Sequence, residues 1–367
     1  MSAGIPLVDL GLQHRRIAGE VRAGFDRVLE TTAFILGPEA ERFEQAYADY
    51  CGVRHCVGVG NGTDAVELAL RAAGVGTGDE VVLPANTFVA TAEAVLRASA
   101  RVVLADCDET YLLDPESVAD RVGPRTRAVI PVHLYGQLAP MKALAAAVGE
   151  DVLVIEDAAQ SQGATQDGRR SGSFGAAAAT SFYPGKNLGA YGDAGAVTTS
   201  SDEVAARLRA VRNHGGVRRY EHGEFGVNSR LDGLQAVVLS AKLAVLDRWN
   251  AERREAAARY DRLLADVPGV VLPRVAPGNE HVWHLYVVRV PRRDEVLAAL
   301  DGAGIGAGIH YPSPVHLLPA FGFLGLGAGA FPRAEAYAAE ILSLPIYPGI
   351  TAAQQERVAD ALTAALG

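Results

Sequence analysis

The sequence predicts an α/β fold: a large domain built on a mostly parallel seven-stranded sheet, then a smaller α+β domain. Three observations carry this expectation. Short apolar runs alternate with helical patterns through the first two-thirds of the chain. The alternation stops at a long amphipathic stretch that begins near Asp232. Beyond it, strand-like and helical patterns mix without a regular order. The 367 residues suffice for two unequal domains, divided here into residues 1–247 and 248–367 at the charged segment around 252–255.

Seven runs read as strands of the large sheet: 54–59, 80–83, 101–105, 128–132, 152–155, 178–183 and 194–198. Helical patterns follow several of them, at 63–73, 89–98 and 141–148. The stretch from Asp232 reads as one long helix, because Leu239, Leu243 and Leu246 recur at i, i+4 and i+7, and it runs through Trp249. The tail offers strands near 270–272 and 282–290 and helices near 294–303 and 352–366. Hydrophobic residues at 49% and charged residues at 21% describe an ordinary globular enzyme rather than a disordered chain. A net charge of −9 without a long basic stripe argues against a nucleic-acid partner. The apolar runs are too short to span a membrane and no basic-then-apolar leader opens the chain, so a cytoplasmic location is expected. Cys51, Cys56 and Cys107 are odd in number and lack a CxxC spacing, which suggests neither a disulfide frame nor a zinc site.

Chemistry concentrates around one of only three lysines. Lys142 and Lys242 lie in amphipathic helical patterns and read as solvated helix faces. Lys186, in Ser181-Phe182-Tyr183-Pro184-Gly185-Lys186-Asn187-Leu188-Gly189, is flanked instead by glycines, a proline and an apolar run. A lysine in that setting can lose solvation and act as an amine nucleophile, which points to Schiff-base chemistry. The apolar run 152–155 ends in Glu156-Asp157-Ala158-Ala159-Gln160. A carboxylate at the carboxyl end of a buried parallel strand needs a cationic partner or several donors. A protonated pyridine nitrogen would serve for Asp157, and a turn-capping role is the competing account. Glu156 and Asp157 point to opposite faces of the strand, so at most one of them faces a ligand.

Gly60-Asn61-Gly62-Thr63-Asp64 joins a strand to a helix, which suits either a phosphate cradle or an ordinary helix cap. The third glycine of a dinucleotide fingerprint is replaced by Thr63, and no GKS or GKT is present, so both of those nucleotide motifs fail. Ser181 can reach a phosphate held at the same turn, and Phe88 offers a face for a flat ring or simply belongs to the core. Asn213-His214-Gly215-Gly216 with Arg218, Arg219 and Tyr220 forms a polar loop suited to a diphosphate or to solvent. Gly308-Ile309-His310-Tyr311-Pro312 and Pro314-Val315-His316 place two imidazoles and a phenol on a proline-stiffened loop, without a carboxylate or cysteine to complete a metal site. His281 and His284 fall at an odd spacing on a strand-like run and do not form a ligand pair.

Together these segments resemble the DegT/DnrJ/EryC1/StrS family of sugar aminotransferases, a branch of the fold-type I pyridoxal-phosphate enzymes. Further matching pieces are Pro84-Ala85-Asn86-Thr87-Phe88, His133-Leu134-Tyr135-Gly136, Asp193-Ala194-Gly195-Ala196 and Asn228-Ser229-Arg230, in family order across nearly the whole chain. The resemblance implies that Lys186 binds pyridoxal 5′-phosphate and moves the proton, and that Asp157 pairs with the pyridine nitrogen. It implies Gln160 beside the phenolic oxygen, Phe88 stacked on the ring, and Gly62, Thr63 and Ser181 on the phosphate. Asn228 would reach the phosphate of a neighbouring subunit, hence a homodimer with shared active sites. Tyr183, Arg219, Tyr220, His310, Tyr311 and His316 are the candidates for substrate contacts. The implied reaction transfers an amino group from L-glutamate to a nucleoside-diphosphate keto-sugar, at C3 of a dTDP-3-keto-6-deoxyhexose by the look of the 308–316 loop. Amination at C4 or of a cyclitol ketone, dehydration, and a non-enzymatic sugar-nucleotide-binding regulator are the alternatives. The intact Lys186 favours transamination over dehydration.

Overall fold

The structure is a computed structural model that describes residues 4–218 and 220–367. Two helices come first, α1 (Leu10–Thr31) and α2 (Gly37–Cys51), which the sequence reading leaves unassigned. Asp9 caps α1, its carboxylate accepting the Leu12 N–H at 2.7 Å. Then β1 (His55–Val59), α3 (Gly62–Ala72), β2 (Glu80–Pro84), α4 (Val89–Arg97), β3 (Arg101–Ala105), α5 (Pro115–Ala119), β4 (Thr126–Val129), α6 (Met141–Val148) and β5 (Leu153–Asp157) alternate. β6 (Ala177–Ser181), β7 (Gly195–Thr199) and α7 (Asp202–Val211) complete the sheet region.

The seven strands are ordered β1-β7-β6-β5-β4-β2-β3. Only β7 runs against its neighbours, pairing antiparallel with β1 and β6, and the other pairings are parallel. Helices cover both faces, so Val57, Leu83, Val129, Ile155 and Val197 are all fully buried in one core. Each such side chain is worth roughly 1.5–3 kcal/mol relative to exposure. β4 stops at Val129 rather than at 132 because Pro131 has no N–H to donate, and Val132 keeps only one bridge, to Asp157.

The long helix is in fact two, α8 (Gly233–Leu243) and α9 (Leu246–Leu264). Leu239 and Leu246 still share one core cluster, with Leu243 packed against it. The turn at 244–245 redirects the chain so that Trp249 packs with Ile17 and Val21 of α1. The strand expected at 270–272 reduces to a single bridge between Val271 and Arg289, confined between Pro268 and Pro273. Of 282–290 only β8 (Tyr286–Arg289) pairs, with the buried β9 (Ile341–Leu344) that the sequence reading overlooks. Residues 282–285 leave the ladder because their N–H groups bond elsewhere: Val282 to the Gly136 carbonyl at 2.8 Å, Leu285 to that of Tyr135 at 3.2 Å. Around this strand pair pack α10 (Arg293–Gly302) and α12 (Ala352–Leu366), while α11 (Pro332–Glu340) leads into β9. Ile5 joins the same cluster through a bridge to Ile305.

Candidate active site

The carboxyl ends of β1, β2, β5 and β6 open into a cavity of about 730 Å³, closed opposite by the 284–285 and 310–311 segments. β5 delivers its two carboxylates to opposite sides, as pleating requires. Glu156 is fully buried away from the cavity. It accepts the N–H groups of Gly172 at 2.9 Å and Phe174 at 2.6 Å and pairs with His133 Nε2 at 2.8 Å. Asp157 lines the cavity. Its Oδ2 accepts the Thr91 hydroxyl at 2.8 Å, that hydroxyl is bonded to Thr87 Oγ1 at 2.8 Å, and its Oδ1 accepts the Ala159 N–H at 3.1 Å. These donors fix the carboxylate plane.

After β6 the chain folds back sharply. The Lys186 N–H donates to the Tyr183 carbonyl and the Ala190 N–H to that of Phe182, each at 2.8 Å. Gly189 is needed for this closure, since a Cβ there would lie 2.3 Å from the Pro184 carbonyl oxygen. Lys186 thereby lines the cavity. Burial pulls its ammonium down to about 8, and the Asp157 carboxylate opposes that shift. Roughly a tenth is then free amine at pH 7, far more than for a lysine of ordinary pKa.

At the β1–α3 turn, Asn61 caps the helix by accepting the Asp64 N–H at 2.8 Å, so the cap account of this turn is correct in itself. The turn nevertheless lies at the cavity wall, with Gly62, Thr63 and Ser181 together. A Cβ on Gly62 would come within 2.4 Å of Ser181 Cβ, so only glycine lets the helix start close against β6. Phe88 is half exposed in the cavity with its ring 5.1 Å from that of Tyr311. Gln160 accepts the Tyr135 N–H at 2.7 Å and donates to the Tyr311 hydroxyl at 3.1 Å. His310 bonds Ser343 Oγ through Nδ1 at 2.8 Å, and its carbonyl accepts the Tyr135 hydroxyl. Burial, then the charge of Lys186, brings the His310 imidazole down to about 4, so it is neutral. Tyr183 stands exposed at the rim.

The sequence profile of the DegT/DnrJ/EryC1/StrS aminotransferase family matches residues 15–363. The chain belongs to that family. It is 47% identical to the dTDP-3-amino-3,4,6-trideoxy-alpha-D-glucose transaminase of Streptomyces venezuelae, over 98% of this chain and 95% of the relative. It is 46% identical to a pleiotropic regulatory protein of Geobacillus stearothermophilus, over 97% of each. The crystal structure of S. venezuelae DesV in complex with a ketimine intermediate superposes with a TM-score of 0.96 at 46% identity, covering 99% of this chain and 98% of that one. The protein is a sugar aminotransferase, and pyridoxal phosphate is its cofactor. The cavity of this DegT/DnrJ/EryC1/StrS enzyme suits that cofactor. A depressed amine, a braced carboxylate and a helix start that closes only with glycine converge on one space.

Not every candidate comes to that space. His316 is buried elsewhere, its Nε2 bonded to Glu335 at 3.0 Å and its ring against Phe331, where it holds the 329–335 turn rather than facing the cavity. Tyr220 and Asn228 are exposed and lie off their own chain's cavity. Arg219 lies outside the described residues. Lys242 is a correction: it is buried rather than solvated, and it donates to the Gly189 carbonyl at 2.5 Å. The i, i+3, i+4 pattern around it left that side of α8 looking free, but α1 and α2 both pack on α8. Among the cavity residues that escaped the sequence reading, two bear on the chemistry. Thr91 braces Asp157, and the only signal was its i+4 spacing from Thr87. His284 lines the cavity from a segment expected to be strand.

Proposed function

We propose that this aminotransferase carries an amino group from L-glutamate to C3 of a dTDP-linked 3-keto-6-deoxyhexose. The observation that carries the reading is one cavity holding Lys186 and Asp157 and extending past them to Tyr183, His310 and Tyr311. The S. venezuelae relative, named for a dTDP-3-amino sugar and matched nearly end to end, supports the carbon and the nucleotide. When bound, pyridoxal phosphate supplies the electron sink for removing and returning a proton. Asp157, held by Thr91 and Ala159, would pair with the pyridine nitrogen. Gln160 keeps one amide hydrogen beyond its bond to Tyr311 for the ring's phenolic oxygen. Phe88 would cover the ring, and Gly62, Thr63 and Ser181 would hold the phosphate. Lys186 would anchor the cofactor through its amine and, when free, would hold or move the proton at the reacting carbon. The neutral His310 and the Tyr311 and Tyr183 phenols orient the sugar. Asn228, exposed and off its own cavity, serves the phosphate of a second subunit in a homodimer. No helix among the described residues is long and apolar enough to cross a membrane. Free, buried cysteines suit a reducing compartment, so the reading includes a cytoplasmic location.

The test is a two-stage turnover: loading with L-glutamate and release of 2-oxoglutarate, then a panel of acceptors. A dTDP-3-keto-6-deoxyhexose is expected to be aminated far faster than the 4-keto sugar or a cyclitol ketone. Preference for either of the others moves the assignment within the family. The name of the G. stearothermophilus relative raises a regulatory reading. A depressed, buried amine facing a braced carboxylate is dispensable for a regulator, and the enzymatic reading accounts for both.

A further inference from the structure

Behind Lys186 lies an amide chain whose donors and acceptors are determined by the main chain. Asn250 Nδ2 donates to the Gln162 carbonyl at 2.9 Å, and a carbonyl can only accept. Asn250 Oδ1 is therefore the atom turned to Asn187, whose Nδ2 donates to it at 2.9 Å. The same Nδ2 donates its second hydrogen to the Val282 carbonyl at 2.9 Å. Both donors of Asn187 are then used, and its Oδ1 faces His284 Nδ1 at 3.3 Å. An amide oxygen needs a donor, so the proton of this imidazole sits on Nδ1 and the lone pair on Nε2. Among the described residues no protein group bonds Nε2, although His284 lines the cavity. The backbone is equally constrained: Arg253 Nη1 bonds the carbonyls of Trp283 at 3.0 Å and His284 at 3.4 Å. Burial first, then the charge of Lys186, keeps the imidazole far below its ordinary range, which also places the lysine within electrostatic reach.

We propose that His284 is a positioning residue for the reacting amine: its Nε2 accepts one N–H of Lys186 whenever that amine is not joined to the cofactor. A free amine swings on four rotatable bonds. Donating one N–H to a fixed acceptor directs its lone pair into the cavity, where the proton is to be taken up. The neighbour of Lys186 in sequence, Asn187, sets the tautomer, so the loop that carries the amine also orients its acceptor. The inference rests on Lys186 being the reacting amine, and wild-type turnover in the same assay separates failure of that reading from failure of this one.

Two substitutions divide the two edges of the ring. His284→Asn keeps a donor to Asn187 at the Nδ1 position and removes the cavity acceptor. His284→Gln places its amide oxygen near the Nε2 position and gives up the bond to Asn187. We expect His284→Asn to slow the single-turnover step with L-glutamate by about 10- to 100-fold with little change in KM, and His284→Gln to retain most of the rate. The apoenzymes give a second readout, the rate at which Lys186 captures added pyridoxal phosphate, expected to fall in the same order. The reverse order, with Asn near wild type and Gln impaired, means that His284 only supports the fold and overturns the proposal. A third measurement needs no variant. Ring-labelled histidine in the wild-type apoenzyme should show His284 protonated on Nδ1 alone at neutral pH. A proton on Nε2 there overturns the proposal as well.

Discussion

The two walls of the cavity are built differently. The wall formed by Asp157, Ser181 and the Gly62–Thr63 turn sits at strand ends, where the sheet ladder fixes each side chain within a residue of regular structure. The opposite wall, with His284, His310 and Tyr311, sits on irregular backbone. It is held instead by side chains reaching its carbonyls: Tyr135 to His310, Arg253 to Trp283 and His284, and Asn187 to Val282. The first wall inherits its geometry from the sheet, whereas the second depends on a few long-range hydrogen bonds. Damage to the first should therefore destroy chemistry, and damage to the brackets of the second should loosen substrate binding and stability while the cofactor stays; the His284 ring, turned to Lys186, is the one part of the second wall that acts on the chemistry.

The sharpest test of the first wall is Lys186→Ala. Turnover should fall on the order of 10⁴-fold or more while the protein stays folded, measured as 2-oxoglutarate release after full cofactor loading. Activity near wild type would remove Lys186 from the chemistry. Next is Asp157→Asn. The amide still accepts the Thr91 hydroxyl but no longer offers a carboxylate to the ring, so the glutamate half-reaction should slow by about 10²-fold or more with a small shift in melting temperature. A full rate in that variant would make Asp157 a cap for the Ala159 turn and nothing else.

The second wall is probed by Arg253→Met. The guanidinium is fully enclosed, has no carboxylate partner among the described residues, and is drawn down to about 9 by burial alone. Its Nη1 serves three carbonyls, those of Trp283, His284 and Ile346. Leaving them without a donor should cost about 3 kcal/mol, read by denaturant unfolding. In protein that remains folded, KM for the keto-sugar should rise several-fold while affinity for pyridoxal phosphate holds. Equal losses of both affinities would mean that the walls are not independent.

The same division explains what could be read from the sequence. Apolar runs bounded by glycine, proline and polar residues marked every strand of the large sheet, and Lys186, Asp157 and Ser181 stood out because they follow such runs directly. The break at 244–245 carries no glycine or proline, so three leucines in register looked like one helix. Residues 282–285 run straight into the apolar stretch 285–290 and so looked like its start, and only the tertiary partners of the Val282 and Leu285 N–H groups pull them from the ladder. His284 was dismissed for the same reason. Its role depends on Asn187 and Asn250, which lie 97 and 34 positions away in the chain, and no local pattern records that pairing.

Lys242 sharpens the comparison from outside the site, and its expected effect is the smallest. Burial lowers this lysine from 10.5 to about 8, as it does Lys186, yet it faces a carbonyl and the Tyr191 ring rather than a carboxylate in a cavity. A depressed amine is thus not in itself a catalytic one. Because the folded state holds this proton more weakly than the unfolded chain, unfolding takes up protons between about pH 8 and 10.5, and stability rises with pH across that window. Lys242→Met removes the titration but leaves the Gly189 carbonyl without its donor. The stability of wild type relative to this variant should be flat below about pH 8 and improve by up to about 3 kcal/mol toward pH 10.5, an order of magnitude set by the shift. The glutamate half-reaction should change by less than about threefold, since Gly189 is already held by its packing on Pro184. A larger loss of rate would show that the loop carrying Lys186 takes its position from α8, and that the sheet alone does not set the first wall.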